Sequence, residues 1–386
     1  MEITFEEAQR VAGHYPFTMI SKPIGDKCNL KCQYCYYSQK KELYQGASHN
    51  MSDSVLREYI KQYIKYNSLD EVEFIWHGGE PLLAGIEFYK KVLEYQTTYN
   101  TKGAKIVNII QSNGTLLNKE WCEFLKSNDF LLGVSLDGTE ELHNRNRINH
   151  NSRGSFDKVI EGIGLLQAYG IEFNIMCVLT KYSEDRGVEI YRFFKSLGAN
   201  YIQLLPAVDY INGTPAPWTI SSKGYGNILI DIFNEWVGYD VGKCFVQIFD
   251  MTLCSWCGIT PPLCIYQESC GNSLAIEHNG DIYSCDHYVS SNNYLGNILN
   301  NNLNSLLRSN KQLNFASNKH STLPRECKKC SYYFACKGAC PKQRKSVSNC
   351  GSNKYSLCEG IKSFYKHVEP YMEYMRQMLN SGKTDA

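Results

Sequence analysis

The chain has 386 residues, with Lys+Arg 40 against Asp+Glu 39 and a formal charge of +1. That balance offers no basic field to nucleic acid or to an anionic membrane. Hydrophobic residues make up 43% and charged residues 20%, the composition of a folded protein long enough for two or three domains. The apolar stretch Phe173–Leu179 is interrupted at Asn174 and falls far short of the ~20 residues of a membrane helix. Met1–Glu7 is acidic without an apolar core, so it does not read as a secretory signal, and the expected location is cytoplasmic.

From Phe17 to about Tyr239, strand-like and helix-like segments alternate. Phe17–Pro23, Val72–Trp76, Lys105–Ile110, Leu131–Leu136, Glu172–Leu179 and Tyr201–Leu205 are short, apolar and rich in β-branched or aromatic residues, and predict strands. Helices are predicted over Asp53–Tyr66, Ile86–Tyr99, Lys119–Ser127, Phe156–Tyr169, Glu184–Leu197 and Lys223–Val237. Ser52, Asn118, Ser155 and Ser183 stand where capping residues are expected. Such alternation means a parallel sheet reached by right-handed crossovers. Six units predict an α/β fold, a partial (β/α)6 TIM-like barrel; a flat, doubly wound sheet fits the same pattern. After about Gly242 cysteine density jumps. Leu274–Glu277, Asn279-Gly280 and Asp281–Ser284 predict a β-hairpin, Asn292–Asn304 a loop leading to a short helix near Leu303–Arg308, and Tyr355–Met378 a last amphipathic helix. The expected boundary near residue 240 divides the chain into 1–240 and a cysteine-rich 241–386.

Cysteines number 17, an odd count, and they cluster. In a chain without an export signal this argues for metal ligation rather than disulfides. Cys28-Asn29-Leu30-Lys31-Cys32-Gln33-Tyr34-Cys35 places three thiols on one loop directly after the first predicted strand. Three thiolates can hold three irons of a four-iron cube and leave the fourth without a protein ligand, whereas a closed zinc site takes four ligands and would need one from elsewhere. Trp76-His77-Gly78-Gly79-Glu80-Pro81 follows the second strand, Ser112-Asn113-Gly114-Thr115 ends the third, and Ser135-Leu136-Asp137-Gly138 ends the fourth, where barrel chemistry gathers. With these motifs the chain resembles the radical S-adenosylmethionine (SAM) superfamily. The resemblance implies that SAM chelates the open iron through its amino and carboxylate groups. The reduced cluster would then cleave SAM to methionine and a hydrogen-abstracting 5′-deoxyadenosyl radical. It further implies that Tyr34 packs near adenine, that Gly78, Gly79 and Glu80 meet the SAM amino group, that Ser135 touches the ribose, and that Arg147 binds the carboxylate. Arg145 competes with Arg147 for that role.

Eight later cysteines form two sets of four by arithmetic: Cys264, Cys270, Cys285, Cys327, Cys330, Cys336, Cys340 and Cys358. Spacing alone does not pair them, and CxxC also serves zinc. This part resembles the SPASM extension of radical SAM enzymes. That resemblance implies one cluster on Cys264, Cys270, Cys285 and Cys340 and another on Cys327, Cys330, Cys336 and Cys358, giving three 4Fe-4S clusters in all. Cys122 and Cys177 read as packing residues. Cys254 and Cys257 form a CxxC without an assigned role, and Cys244 and Cys350 are left over.

Within that group the loop Cys28–Tyr37, Ser135-Leu136-Asp137-Gly138, Cys270-Gly271-Asn272 and Tyr283-Ser284-Cys285-Asp286-His287 resemble the anaerobic sulfatase-maturating enzymes. The resemblance implies oxidation of a cysteine or serine in an unfolded Cys/Ser-x-Pro/Ala-x-Arg segment of a sulfatase to Cα-formylglycine. A donor such as flavodoxin or ferredoxin would supply electrons. Asp286 is the candidate base, with a pKa expected to rise on burial; its bland alternative is a turn residue, and His287 ranks behind it. The 28 tyrosines are candidates to line a peptide groove or simply to pack. Competing readings are a peptide maturase that installs thioether or carbon–carbon cross-links, a zinc-stabilised binding module, and an iron–sulfur electron carrier.

Overall fold

The computed structural model describes residues 16–38, 40, 50–346 and 353–382. Six strands lie parallel and side by side in chain order: β1 (Thr18–Lys22), β2 (Glu71–Trp76), β3 (Lys105–Ser112), β4 (Leu131–Ser135), β5 (Phe173–Leu179) and β6 (Tyr201–Pro206). They are connected by α1 (Asp53–Tyr66), α2 (Ile86–Tyr99), α3 (Lys119–Ser127), α4 (Glu140–Asn146) with α5 (Phe156–Ala168), and α6 (Gly187–Ser196). A doubly wound sheet reverses its strand order partway; this one does not, so it winds as an incomplete barrel. Period-two burial follows, as on β5, where Phe173, Ile175, Cys177 and Leu179 are buried while Asn174, Met176 and Val178 are half-buried on the other face.

Two edge additions replace closure. After the small hairpin β7 (Tyr210–Ile211) and β8 (Thr214–Pro215) comes α7 (Ser222–Tyr239), then β9 (Phe245–Val246), which pairs parallel with β6. α8 (Gln247–Trp256) follows, and then the predicted hairpin, β10 (Ser273–Glu277) and β11 (Asp281–Tyr283). β10 pairs parallel with β1, from Thr18 beside Ser273 to Lys22 beside Glu277. One sheet therefore runs through both parts of the chain, although α7 ends beside residue 240.

Local chemistry explains where the predicted elements hold and where they shift. Ser52 and Asn118 cap α1 and α3, accepting from the Val55 and Trp121 amides. α1 buries Val55, Leu56, Tyr59, Ile60, Tyr63 and Ile64 along one face, and Tyr59 and Tyr63 meet Phe74 edge-on at 5.7 and 5.0 Å. Ser155 does not cap α5, because its hydroxyl is taken by His143 and the Arg147 carbonyl. Ser183 closes a short 3-10 turn with Thr180 instead, so α6 begins at Gly187, later than Glu184. The asparagine-rich stretch contains β12 (Tyr294–Asn297), antiparallel to β11; Asn297 bonds Asp281 and Asn302 caps the next short helix. The C-terminal helix (Cys358–Asn380) starts after Tyr355, since Asn353–Tyr355 pairs as a strand with Arg344–Ser346.

That helix is joined to α7 at two glycines. A Cβ on Gly360 would fall 1.8 Å from the Ser222 carbonyl oxygen, and one on Gly226 would fall 2.6 Å from that of Gly360. Gly360→Ala must push the helices apart, and overpacking of this kind costs about 1–3 kcal/mol. Cys358 moves with Gly360, so the expected outcome is a lower urea midpoint together with reduced iron retention. An unchanged midpoint would show that the crossing is not this close.

Candidate active site and cysteine clusters

The three-cysteine loop is held on both sides by backbone. The Lys31 and Gln33 amides donate to the carbonyls of Ile148 (2.6 Å) and Asn146 (3.0 Å), and the Gly79 and Glu80 amides donate to those of Gly25 and Lys27 (both 2.9 Å). Gly79 is required for this approach, because a Cβ there would lie 2.0 Å from the Lys27 carbonyl oxygen. Cys28, Cys32 and Cys35 are half-buried. Burial, with a contribution from Glu80 and Cys35, pushes the Cys28 thiol up to about 11. Burial, then Cys35, Asp137 and Cys28 against the opposing Arg147, pushes Cys32 up to about 12. Thiols raised in this way at Cys28 and Cys32 give up their protons only to a strong local positive charge, which cluster iron would provide. Three thiols on one loop are one ligand short of a closed zinc site and match a four-iron cluster with one iron left open, so the chemistry of this donor set fits a cluster better than zinc.

The Glu80 carboxylate is held by three neighbouring donors. Its Oε1 accepts from the Leu82 amide (3.1 Å) and the Ser112 hydroxyl (2.8 Å), and its Oε2 from the Asn113 amide (2.7 Å). Burial still outweighs these donors and pushes its pKa up to about 7. The side chain thereby ties the β2 loop to the end of β3, and Asn113 in turn donates to Asn29 on the cysteine loop (2.8 Å).

Arg147 and Arg145 are separated by their surroundings. Arg147 is buried with Nε 3.0 Å from Asp137 Oδ2, and its guanidinium sits 5.5 Å from the centre of the Tyr34 ring. The Tyr34 hydroxyl donates to the same Asp137 oxygen, and Asp137 Oδ1 accepts from the Val178 amide (3.0 Å). Arg145 is exposed and stacks over Tyr182 at 3.8 Å, outside this network. Ser135, at the end of β4, accepts from Gln111 (3.1 Å).

The turn after the β10–β11 hairpin brings the last piece against the end of β1. Asp286, directly after Cys285, is buried with Oδ1 2.6 Å from Nζ of Lys22 and Oδ2 accepting from the Tyr36 hydroxyl at 2.5 Å. Lys22 is fully buried, 3.3 Å from His77 Nδ1 and 4.8 Å from the centre of the Tyr37 ring. Burial raises the Asp286 pKa, but Lys22, His77 and His287 together overcome it and hold the carboxyl well below its usual range. The expected rise is thus overturned: the carboxylate is ionised and paired. His77 is pushed down to about 3 by burial and then Lys22. Its Nδ1 accepts from the Gly78 amide (2.7 Å), which leaves the ring proton on Nε2. His287 Nδ1 lies 3.7 Å from Cys340 Sγ and so faces the cysteines. Sequence reasoning assigned no role to Lys22, Tyr36, His77 or Asp137. Asp137 stood in a motif that had been singled out, whereas Lys22 carried no local signal.

The eight later cysteines separate into two groups. Cys264, Cys270, Cys285 and Cys340 act electrostatically on one another, and Cys336 feels Cys358, Cys327 and Cys330. The latter four line one small cavity of about 60 Å³ with Tyr333, Lys354 and Tyr365 among its walls. The chain passes between groups through Lys337, Gly338 and Ala339, all at positive φ (48°, 75° and 50°). This tight reversal sends Cys336 to one group and Cys340 to the other. Cys122, Cys177 and Cys244 are buried, Cys254 and Cys257 are half-buried at the end of α8, and Cys350 lies outside the described residues.

Residues 23–194 match the model of the radical SAM superfamily and residues 264–331 that of an iron–sulfur cluster-binding domain. A serine-type anaerobic sulfatase-maturating enzyme of Bacteroides thetaiotaomicron is 41% identical over 389 residues, 96% of this chain and 94% of the relative. A cysteine-type counterpart from Clostridium novyi is 33% identical, covering 94% of this chain and 98% of the relative. The solved structure of native anSMEcpe with bound AdoMet and Kp18Cys peptide superposes with a TM-score of 0.87 at 31% identity, over 94% of this chain and 99% of that one.

The Glu80 arrangement is directly testable. In Glu80→Gln the amide must oppose either the Asn113 amide or the Leu82 and Ser112 donors, leaving a buried donor unsatisfied at about 1–3 kcal/mol. Thermal unfolding is expected at a lower temperature than for the parent. Equal stability would mean that the three donors have other acceptors.

Proposed function

The chain belongs to the anaerobic sulfatase-maturating enzymes of the radical SAM superfamily, and from that premise we propose that it oxidises a cysteine or serine of a sulfatase to Cα-formylglycine. The observation that carries the reading is Asp286: an ionised carboxylate adjacent to Cys285, fixed beside the loop that follows β2. Removing two hydrogens from a side chain calls for a proton acceptor next to an electron acceptor, and this position satisfies both demands.

Cys28, Cys32 and Cys35 would hold the N-terminal 4Fe-4S cluster at three corners, and the two auxiliary clusters would take the four-cysteine groups described above. When bound, the N-terminal cluster and SAM supply the radical that abstracts the hydrogen atom. Gly78 and Gly79 would meet the SAM amino group through backbone, while Arg147 and Ser135 would offer SAM a guanidinium fork and a hydroxyl. Tyr34, held by Asp137, gives a flat face for adenine. Asp137 orients Arg147, so it is a positioning residue.

Asp286 is the residue that takes the substrate proton. Lys22 and Tyr36 each occupy one lone pair of the carboxylate and leave a second on each oxygen. Even an ordinary aspartate deprotonates a cysteine thiol uphill by roughly 6 kcal/mol, and the depressed pKa here widens that gap. Proton transfer therefore accompanies or follows hydrogen abstraction, once the side chain has become acidic. The substrate is an extended Cys/Ser-x-Pro/Ala-x-Arg segment, and the reductant a one-electron carrier of the flavodoxin or ferredoxin class. No helix among the described residues is long and apolar enough to cross a membrane; the cytoplasm is the compartment that suits free thiols and such a carrier.

Reduced, cluster-loaded enzyme with SAM and a Ser-x-Ala-x-Arg or Cys-x-Pro-x-Arg peptide is expected to produce aldehyde. The serine peptide loses two hydrogens, and the cysteine peptide also exchanges sulfur for oxygen. Release of 5′-deoxyadenosine without change in either peptide would refute the substrate assignment. Asp286→Asn is expected to lower aldehyde formation by about 10²-fold while 5′-deoxyadenosine still accumulates, read by mass spectrometry and chromatography; full aldehyde yield in this variant would remove Asp286 from the role.

A further inference from the structure

Two cations are buried between the auxiliary cysteine groups, and among the described residues neither pairs with a carboxylate. Arg344 is 6% exposed; its Nε donates to the Gly338 carbonyl at 2.9 Å and its Nη1 to that of Lys319 at 2.8 Å. Its Nη2 is buried with no hydrogen-bond partner among the described residues. Gly338 is the centre of the reversal between Cys336 and Cys340, and a Cβ there would lie 2.9 Å from that same Nη2. Lys319 is 1% exposed and donates to the carbonyls of Cys264 (2.6 Å) and Ile265 (3.0 Å). Every partner these cations show is a carbonyl or hydroxyl oxygen.

A buried guanidinium and a buried ammonium side by side are costly unless negative charge compensates them. Burial holds both cations below their usual range; the thiols acting against it on Arg344 are Cys270 and Cys340 from one set and Cys327 and Cys336 from the other, and on Lys319 they are Cys270, Cys264 and Cys340, with Arg344 opposing. Four thiolates around a 4Fe-4S cluster carry net negative charge, more so after reduction, so a nearby cation favours the reduced form.

We propose that Arg344 is an electrostatic bridge between the two auxiliary clusters, a positioning residue whose single charge and spare Nη2 donor raise the reduction potentials of both. Lys319 acts on the Cys264 set alone. The inference rests on the three-cluster reading but not on the substrate.

The test is an EPR-monitored potentiometric titration of the anaerobic holoenzyme without peptide, so its failure is distinct from failure of the sulfatase assignment. In Arg344→Gln, reduction of both auxiliary clusters is expected to become at least tenfold less favourable, 59 mV for one electron. The N-terminal cluster changes by less than twofold. Lys319→Gln is expected to shift only one auxiliary cluster, and Arg344→Lys to recover most of both shifts. A shift in neither auxiliary cluster, in only one, or equally in the N-terminal cluster overturns the proposal. If Arg344→Gln loses auxiliary iron, Arg344→Lys decides. Retained iron with both potentials near the parent's supports the charge, and lost iron overturns it in favour of the hydrogen-bond fork.

Discussion

The parallel pairing of β1 with β10 brings the two ends of the site together. Nothing else described here would place Lys22, the last residue of β1, beside a carboxylate that follows a cysteine in the second half of the chain. β1 leads into the three-cysteine loop and β10, through its hairpin, into Cys285 and Asp286. Their alignment therefore sets how the three-cysteine loop and Asp286 sit relative to one another. The ion pair between Lys22 and Asp286 fastens that alignment where both side chains are withdrawn from water, a setting in which loss of either partner leaves a costly lone charge.

Charge compensation is the rule throughout. In the SAM-binding half, the buried cations each meet a carboxylate, Arg147 at Asp137 and Lys22 at Asp286, while buried Glu80 is held by neutral donors. In the cysteine-rich half, Arg344 and Lys319 hydrogen-bond only neutral oxygens among the described residues. Cys28 and Cys32 of the N-terminal loop are likewise pushed toward protonation in the protein alone. Both halves are thus incomplete as electrostatic systems until cluster charge is supplied, which couples cofactor loading to stability.

Much of this was legible in the chain itself. Strands β2 to β6 and helices α1 to α3 follow directly from apolar periodicity and caps such as Ser52 and Asn118, because there local preference and tertiary packing agree. The cysteine motifs stood out because iron–sulfur chemistry needs several thiols at short spacing. Less local features were hidden. Ser155 and Ser183 looked like caps, but their hydroxyls are claimed by partners outside their own helices. β12 was obscured by asparagines that turn out to cap and cross-link the hairpin edge. Burial of Asp286 suggested a raised pKa, and only the fold reveals the lysine that reverses the sign. Arg344 gave no sign at all, since its meaning depends on a chain reversal at Lys337–Ala339 that sends neighbouring cysteines to different sites.

The three thiols after β1 are proposed to hold a cluster with one iron left for SAM. The most direct measurement compares the parent with a variant in which Cys28, Cys32 and Cys35 are all alanine, by iron analysis and by EPR of the dithionite-reduced protein with and without SAM. The account predicts that the variant keeps about two thirds of the iron, as expected for two remaining four-cysteine sites, and that SAM no longer alters its spectrum although it alters the parent's. Full iron content in the variant, or a SAM-dependent spectral change that survives the substitutions, would contradict it.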